Sequence, residues 1–397
     1  MNEFTIKEFN DLVENGTQNF ENEVKLILHK NDPLIFDKIK FEDSSFFLDP
    51  LLFDKITTKD QNINLLVLGR LKDFEKFKNI VITTNKDGVF FLPYIGYFRT
   101  NLPSSRIDLN YNNGFELFSD NKKISYLFNE IEYFDETIEL LNFPLLEIEK
   151  YFYDFNGDLV DVEIIDISEK QKKNLVSALN IIKSVNYEWY LIMKSVTKKL
   201  MIFNDQQIKR NSFTSIFIHG FSLFNAFQEN YNEVFFIEDI SHQCGHTIFN
   251  AFLNSKIDLF LLNESTIIKS NNPNSEGRSL VVVLHALYTY FAILENFEKC
   301  ISNNIFEGDK EHELNGRLVF TIYKFYSDYN LLINPDSTSK YLNEKGVTII
   351  QFFKLKFDLI CSIHRERLEH LDVTNQPYNF SYEIFKTTNS IDLVDKL

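Results

Sequence analysis

"IDLNYNNGFELF", residues 107–118, is the stretch on which the fold class turns. Two β-rich runs flank Asn113-Gly114, and Asn-Gly supplies the positive φ values that a tight hairpin turn requires. Upstream, "NIVITTNKDGVFFLPYIGYF" (79–98) repeats the device around Asp87-Gly88, and downstream "ISYLFNEIEYF" (124–134) gives a further strand. The three stretches predict a small antiparallel meander. The first ~135 residues therefore read mainly as strands after a short opening helix.

Beyond that point the period changes from two to 3.6. "DETIELLNFPLLEIEKYF" (135–152) is expected to begin a helix-rich stretch. "SEKQKKNLVSALNIIKSV" (168–185) opens with a capping box, Ser168 and Gln171, and places Leu175, Leu179 and Ile182 at helical spacing. "SFTSIFIHGFSLFNAF" (212–227) and "EVFFIEDI" (233–240) read as strands or buried segments. "SLVVVLHALYTYFAILENFEKC" (279–300) is apolar nearly all round and predicts a core helix, and 344–371 predicts one long helix. The expected class is α+β, with an antiparallel β-rich module over 1–135 and a mainly helical, metal-binding domain over 136–397.

Composition is that of a globular chain: 44% hydrophobic and 25% charged over 397 residues. The net charge of −16 argues against nucleic acid and anionic membranes as partners, because phosphate binding needs a concentrated cationic face. A neutral or mildly basic peptide is compatible with it. The stretch "MNEFTIKEFNDLVENGTQNF" has early acids and no apolar core of signal-peptide length. Cys244, Cys300 and Cys361 are too few and too widely spaced for a disulfide framework or a CxxC site. A cytoplasmic, reducing setting is expected.

The chemistry is concentrated in "EDISHQCGHTIFNAFL" (238–253). On a helix, His242 and His246 stand on one face a turn apart and can chelate one divalent cation. Zinc proteases of this frame need a glutamate between the histidines to deprotonate the metal-bound water. Here that position is Gln243, whose amide cannot take up a proton at neutral pH. Redox iron makes a different demand: three protein ligands, open positions for co-substrate and O₂, and no protein base on a bound water. His285 sits in an otherwise apolar helix, an expensive place for an unpartnered imidazole. Just before that helix, Arg278 offers a fork suited to a carboxylate.

Together, "EDISHQCGHTIFNAFL" and "EGRSLVVVLHALYTYFAIL" (276–294) resemble the HExxH-motif proteins of peptide natural-product gene clusters. The second block carries Arg278, Leu280, Leu284 and His285 in the family's frame, with Tyr288 and Tyr290 following. The likeness covers roughly 165–300, with "YLNEKGVTIIQFF" (341–353) similar to the family's C-terminal helix; the first ~135 residues have no counterpart in it. The resemblance implies an Fe(II)- and 2-oxoglutarate-dependent oxygenase that uses O₂ to hydroxylate a β-carbon of a ribosomal precursor peptide. It implies His242, His246 and His285 as metal ligands and Arg278 as the 2-oxoglutarate clamp. Glu264 and Glu276 are the alternatives for the third ligand. The chain departs from the pattern at Gln243, in place of the motif glutamate, and at Ser279 and Ala286, in place of Pro and Gly. Gln243 is expected to hydrogen-bond beside the metal rather than to act as a base. A non-catalytic peptide-binding homologue and a zinc metalloenzyme are the competing readings.

Overall fold

The computed structural model describes residues 4–58, 63–143, 145–154, 156–160, 162, 169–205, 209–228, 230–269 and 277–390. Helices α1 (Ile6–Asn31), α2 (Ser44–Phe47), α3 (Pro50–Thr57) and α4 (Asn64–Leu71) come first. Strands β1 (Ile80–Thr83), β2 (Val89–Leu92), β3 (Gly96–Arg99), β4 (Arg106–Tyr111) and β5 (Phe115–Ser119) follow. Then come β6 (Lys122–Ile124), β7 (Leu127–Glu130), β8 (Glu132–Phe134) and β9 (Ile138–Leu141). After α5 (Glu169–Val185) and α6 (Tyr187–Val196) lie β10 (Lys199–Phe203), β11 (Phe213–Thr214) and β12 (Phe221–Asn225). The rest is α7 (Glu233–Asn254), β13 (Ile267–Ile268), β14 (Arg278–Ser279), α8 (Leu280–Ser302), α9 (Asp309–Leu332), α10 (Glu344–Ile363), α11 (Arg365–Leu368) and α12 (Tyr382–Thr388). The class is α+β, β-rich towards the N-terminus and helical towards the C-terminus.

Two compact units divide the chain. One comprises Met1–Thr17, Lys173–Met193 and Tyr231–Leu397; the other comprises Gln18–Lys172 and Lys194–Asn230. The boundary expected near 135 falls in the β8–β9 turn, where Asp135 and Glu136 take positive φ (50° and 64°). Both flanking strands belong to one sheet, ordered β11-β12-β10-β9-β8.

The β-rich unit holds that mixed sheet and two smaller antiparallel ones, β1-β4-β5-β6 and β2-β3-β7. The Asn113-Gly114 hairpin forms as expected, with Tyr111 opposite Phe115. The Asp87-Gly88 turn does something else. Strand β1 pairs with β4 and β2 with β3, so this turn hands the chain from one sheet to another. Asn85 shapes it, its Oδ1 accepting from the N–H of Asp87 (3.0 Å) and of Val89 (2.9 Å). Phe77, Phe90, Phe98, Leu109 and Leu117 from these two sheets and their approach share one core.

Four other expectations are corrected. The opening helix is long, not short, and helices continue to Leu71. The stretch 135–152 forms no α-helix: it holds β9 and then a 3₁₀ helix over Leu146–Tyr151, and β9 buries all four of its residues, so that it reads as an unbroken apolar run that periodicity cannot separate from a helix. The run 233–240 is the first two turns of α7, started by Asn232, whose side chain accepts from the Val234 N–H at 2.8 Å. The predicted helix over 344–371 is interrupted at His364, between α10 and α11. Leu175, Leu179 and Ile182 are buried in α5 as expected. Ser168 lies outside the described residues, and Gln171 Nε2 donates to the carbonyls of Ala226 and Gln228.

In the helical unit, α7, α8 and α9 build the frame of the site. Helix α8 is long and apolar enough to cross a membrane, yet 67% of its most apolar stretch is buried inside the protein, as in a core helix. Phe9 of α1 stacks on Phe252 (4.9 Å) and Tyr288 (5.0 Å) and meets Phe353 edge-on. Helices α7 and α8 approach closely at Gly245, where a methyl group would lie 3.4 Å from Thr289 Cγ2 and 3.8 Å from Ala292 Cβ. A buried polar thread fixes the same pair: Asn296 Nδ2 donates to Ser241 Oγ (2.9 Å), and Asn186 Nδ2 to Asn296 Oδ1 (2.9 Å). The three cysteines are free thiols.

Candidate functional site

Helix α7 carries Glu238, His242 and His246 at successive i, i+4 positions, so they line one face. Helix α8 brings His285 against that face. The Nε2 atoms of His242 and His246 are 3.1 Å apart, a separation at which two imidazoles can share one small cation. His285 meets His246 from the other side of the ring, Nδ1 to Nδ1 at 3.4 Å. The rings therefore form a chain, His242–His246–His285, with His246 in the middle. A neutral imidazole has one N–H, and one consistent run of donors satisfies both links in either direction.

Burial keeps these rings neutral. It pushes the His242 imidazole down to about 4, with the Lys324 charge adding to the effect. It pushes His246 and His285 down to about 3, each assisted by its neighbouring histidine. Neutral imidazole is the form a metal ligand must have. The donor set thus fits a divalent cation at His242 and His246. Among the described residues, however, no three imidazole, thiolate or carboxylate groups converge on one point. Both facts hold together because His246 spends its two ring nitrogens on different partners. Joint ligation by all three histidines requires a ring to turn about its Cβ–Cγ bond.

The alternative third ligands are not brought in. Glu264 is exposed, its backbone carbonyl accepting from the Val281 N–H (3.1 Å) at the start of α8. Glu276 lies outside the described residues. Gln243 is buried and donates from Nε2 to Asp239 Oδ1 at 3.3 Å.

Arg278 is held by the β13–β14 ladder, opposite Ile268, immediately before α8. Its guanidinium pairs with Asp328 of α9: Nη1 donates to Oδ2 at 3.0 Å and Nη2 to Oδ1. Asp328 is buried, and desolvation raises its carboxyl despite the opposing pull of Arg278 and Lys324. Tyr290 connects the two ends of the site. Its ring is 6.3 Å from that of His242, and its hydroxyl, pushed up by burial, feels the charges of Asp328 and Arg278. Lys324, one turn before Asp328, donates to the Tyr378 carbonyl (2.9 Å) and acts electrostatically on His242, Asp328 and Glu238. Arg317 of α9 closes the far side, pairing with Glu238 (2.6 Å) and Glu313 (2.7 Å).

Sequence reading found the histidines and Arg278 but missed Asp328, Lys324 and the whole of α9. The available signal was charge at helical spacing: Glu313 and Arg317, then Lys324 and Asp328, each pair at i, i+4. No family model matches this chain, and no curated protein is significantly similar to it.

Proposed function

We propose that this chain is an Fe(II)- and 2-oxoglutarate-dependent oxygenase acting on a ribosomally made precursor peptide in a cytoplasmic setting, with neither nucleic acid nor membrane as partner. The observation that carries the reading is the assembly of three half-buried imidazoles, kept neutral by desolvation, with Tyr290 leading from His242 to the Arg278 guanidinium. When bound, iron and 2-oxoglutarate supply the oxidising power: one O₂ is consumed, the co-substrate leaves as succinate and CO₂, and a β C–H bond of the peptide becomes C–OH. His242 and His246 would hold the metal, with His285 the third ligand. Arg278 would bind the distal carboxylate. Gln243 does not serve as a base, and the chemistry needs none there.

A second reading, a peptide-binding homologue without catalysis, is favoured by the histidines bonding to one another in a chain and by Asp328 already pairing with Arg278. Anaerobic reconstitution with Fe(II), followed by addition of O₂ and 2-oxoglutarate, separates the two. Stoichiometric iron with succinate release supports the oxygenase. Absence of metal uptake supports the binding protein, and tight zinc with no succinate would replace both with a zinc enzyme.

A further inference from the structure

The Arg278–Asp328 pair is end-on: it uses one hydrogen from each terminal nitrogen of the guanidinium. A planar guanidinium in this mode keeps a second edge, the Nε–H with the outer Nη–H, which matches a carboxylate equally well. Arg278 can therefore hold two carboxylates at once, one from the protein and one from a ligand. The protein's own carboxylate is well anchored. Asp328 is 5% exposed and projects from a long helix whose neighbouring turn supplies Lys324. Lys324 in turn acts electrostatically on both Asp328 and His242, and Tyr290, whose ring is 6.3 Å from that of His242, feels the charges of both Asp328 and Arg278.

We propose that Asp328 is a positioning residue, holding Arg278 end-on so that its free edge receives the carboxylate of a small ligand bound beside His242. The proposal rests on reading Arg278 as the clamp of this site. Asp328 touches no substrate; it acts through the guanidinium. A carboxylate that merely filled the fork until the ligand arrived would compete with the ligand, and the two roles predict opposite signs.

The test is binding, not turnover. Full-length protein loaded with redox-silent Mn(II) is titrated with 2-oxoglutarate, succinate and acetate by equilibrium dialysis, as wild type, Asp328→Asn and Asp328→Glu. Asp328→Asn keeps the shape and loses the charge and one acceptor. It is expected to weaken 2-oxoglutarate about tenfold, the scale of one charge-assisted contact, with Mn(II) stoichiometry unchanged and partial recovery in Asp328→Glu. Unchanged or tighter binding in Asp328→Asn overturns the positioning role while leaving the oxygenase reading intact. Binding of succinate but not 2-oxoglutarate, still weakened by Asp328→Asn, overturns the oxygenase reading and leaves the positioning role standing. A wild type that binds none of the three overturns both. Should Asp328→Asn fold poorly, Asp328→Glu alone decides: its affinity must lie within a few-fold of wild type.

Discussion

The Nδ1 atoms of His246 and His285 face each other at 3.4 Å, so the third imidazole reaches His246 from the side opposite His242. If the proposed ligand set is right, metal entry turns one of these rings and breaks this contact. His242→Ala and His246→Ala should each abolish stoichiometric iron binding, and His285→Ala should do the same while leaving the fold intact. Metal content after anaerobic loading is the measurement. Full iron and activity in His285→Ala would reduce the set to the α7 pair and reopen the search for a carboxylate.

Gln243→Glu should not create a hydrolase. Gln243 is buried with its amide against the Asp239 carboxylate, so a glutamate there would place two acids in contact. The new carboxyl is met by uptake of a proton or by a loss on the order of 2 kcal/mol. Peptide-bond cleavage assayed on unstructured peptides should stay at background, and the variant should be stabilised as pH falls. Cleavage at neutral pH would return the motif to the protease class.

Phe9→Ala should cost about 3–5 kcal/mol, because it empties a stacked cluster formed with Phe252, Tyr288 and Phe353. Chemical denaturation measures it. The same contact bears on any attempt to remove the N-terminal β-rich region: a chain starting at residue 135 loses part of the core beneath the histidines. If the strands of this region dock the precursor peptide through a sheet edge, with side-chain pockets adding selectivity, substitutions at their exposed residues Val81 and Leu127 should weaken peptide binding while metal still loads.

In the β-rich unit, His219 should make stability fall in mild acid. It lies between Phe20 (4.4 Å) and Phe53 (5.7 Å), and burial, with Lys198 nearby, pushes it down to about 3. The unfolded imidazole titrates near 6.5, so below that pH the unfolded state binds the extra proton and folding loses free energy until about pH 3. Between pH 7 and pH 5 this amounts to about 2 kcal/mol. His219→Phe should flatten that part of the pH–stability curve. An unchanged slope would mean that other groups set it.

What was legible in the sequence, and what was not, follows from how each element is buried. Helix α8 declares itself because nearly every side chain is apolar, and the α7 histidines because i, i+4 spacing has one meaning on a helix. Helix α9 does not, since Glu313, Arg317 and Asp328 dilute its apolar pattern, and only their partners on α7 and β14 explain why charge is buried there. The Asp87-Gly88 turn was legible as a turn, but turn chemistry does not say which strands pair. Arg278 was legible as a fork; its partner, fifty residues later in the chain, was not.

The glycine between the two α7 histidines turns the interhelical gap into an adjustable spacer. Alanine fits at 245 in ordinary van der Waals contact with Thr289 and Ala292 and should add about 0.5–1 kcal/mol of helix preference. Valine or leucine must instead wedge α8 outwards, carrying His285 with it. A graded series at this one position is thus a steric dial on the imidazole geometry that leaves every candidate ligand unsubstituted, and it lets metal affinity be read against helix separation.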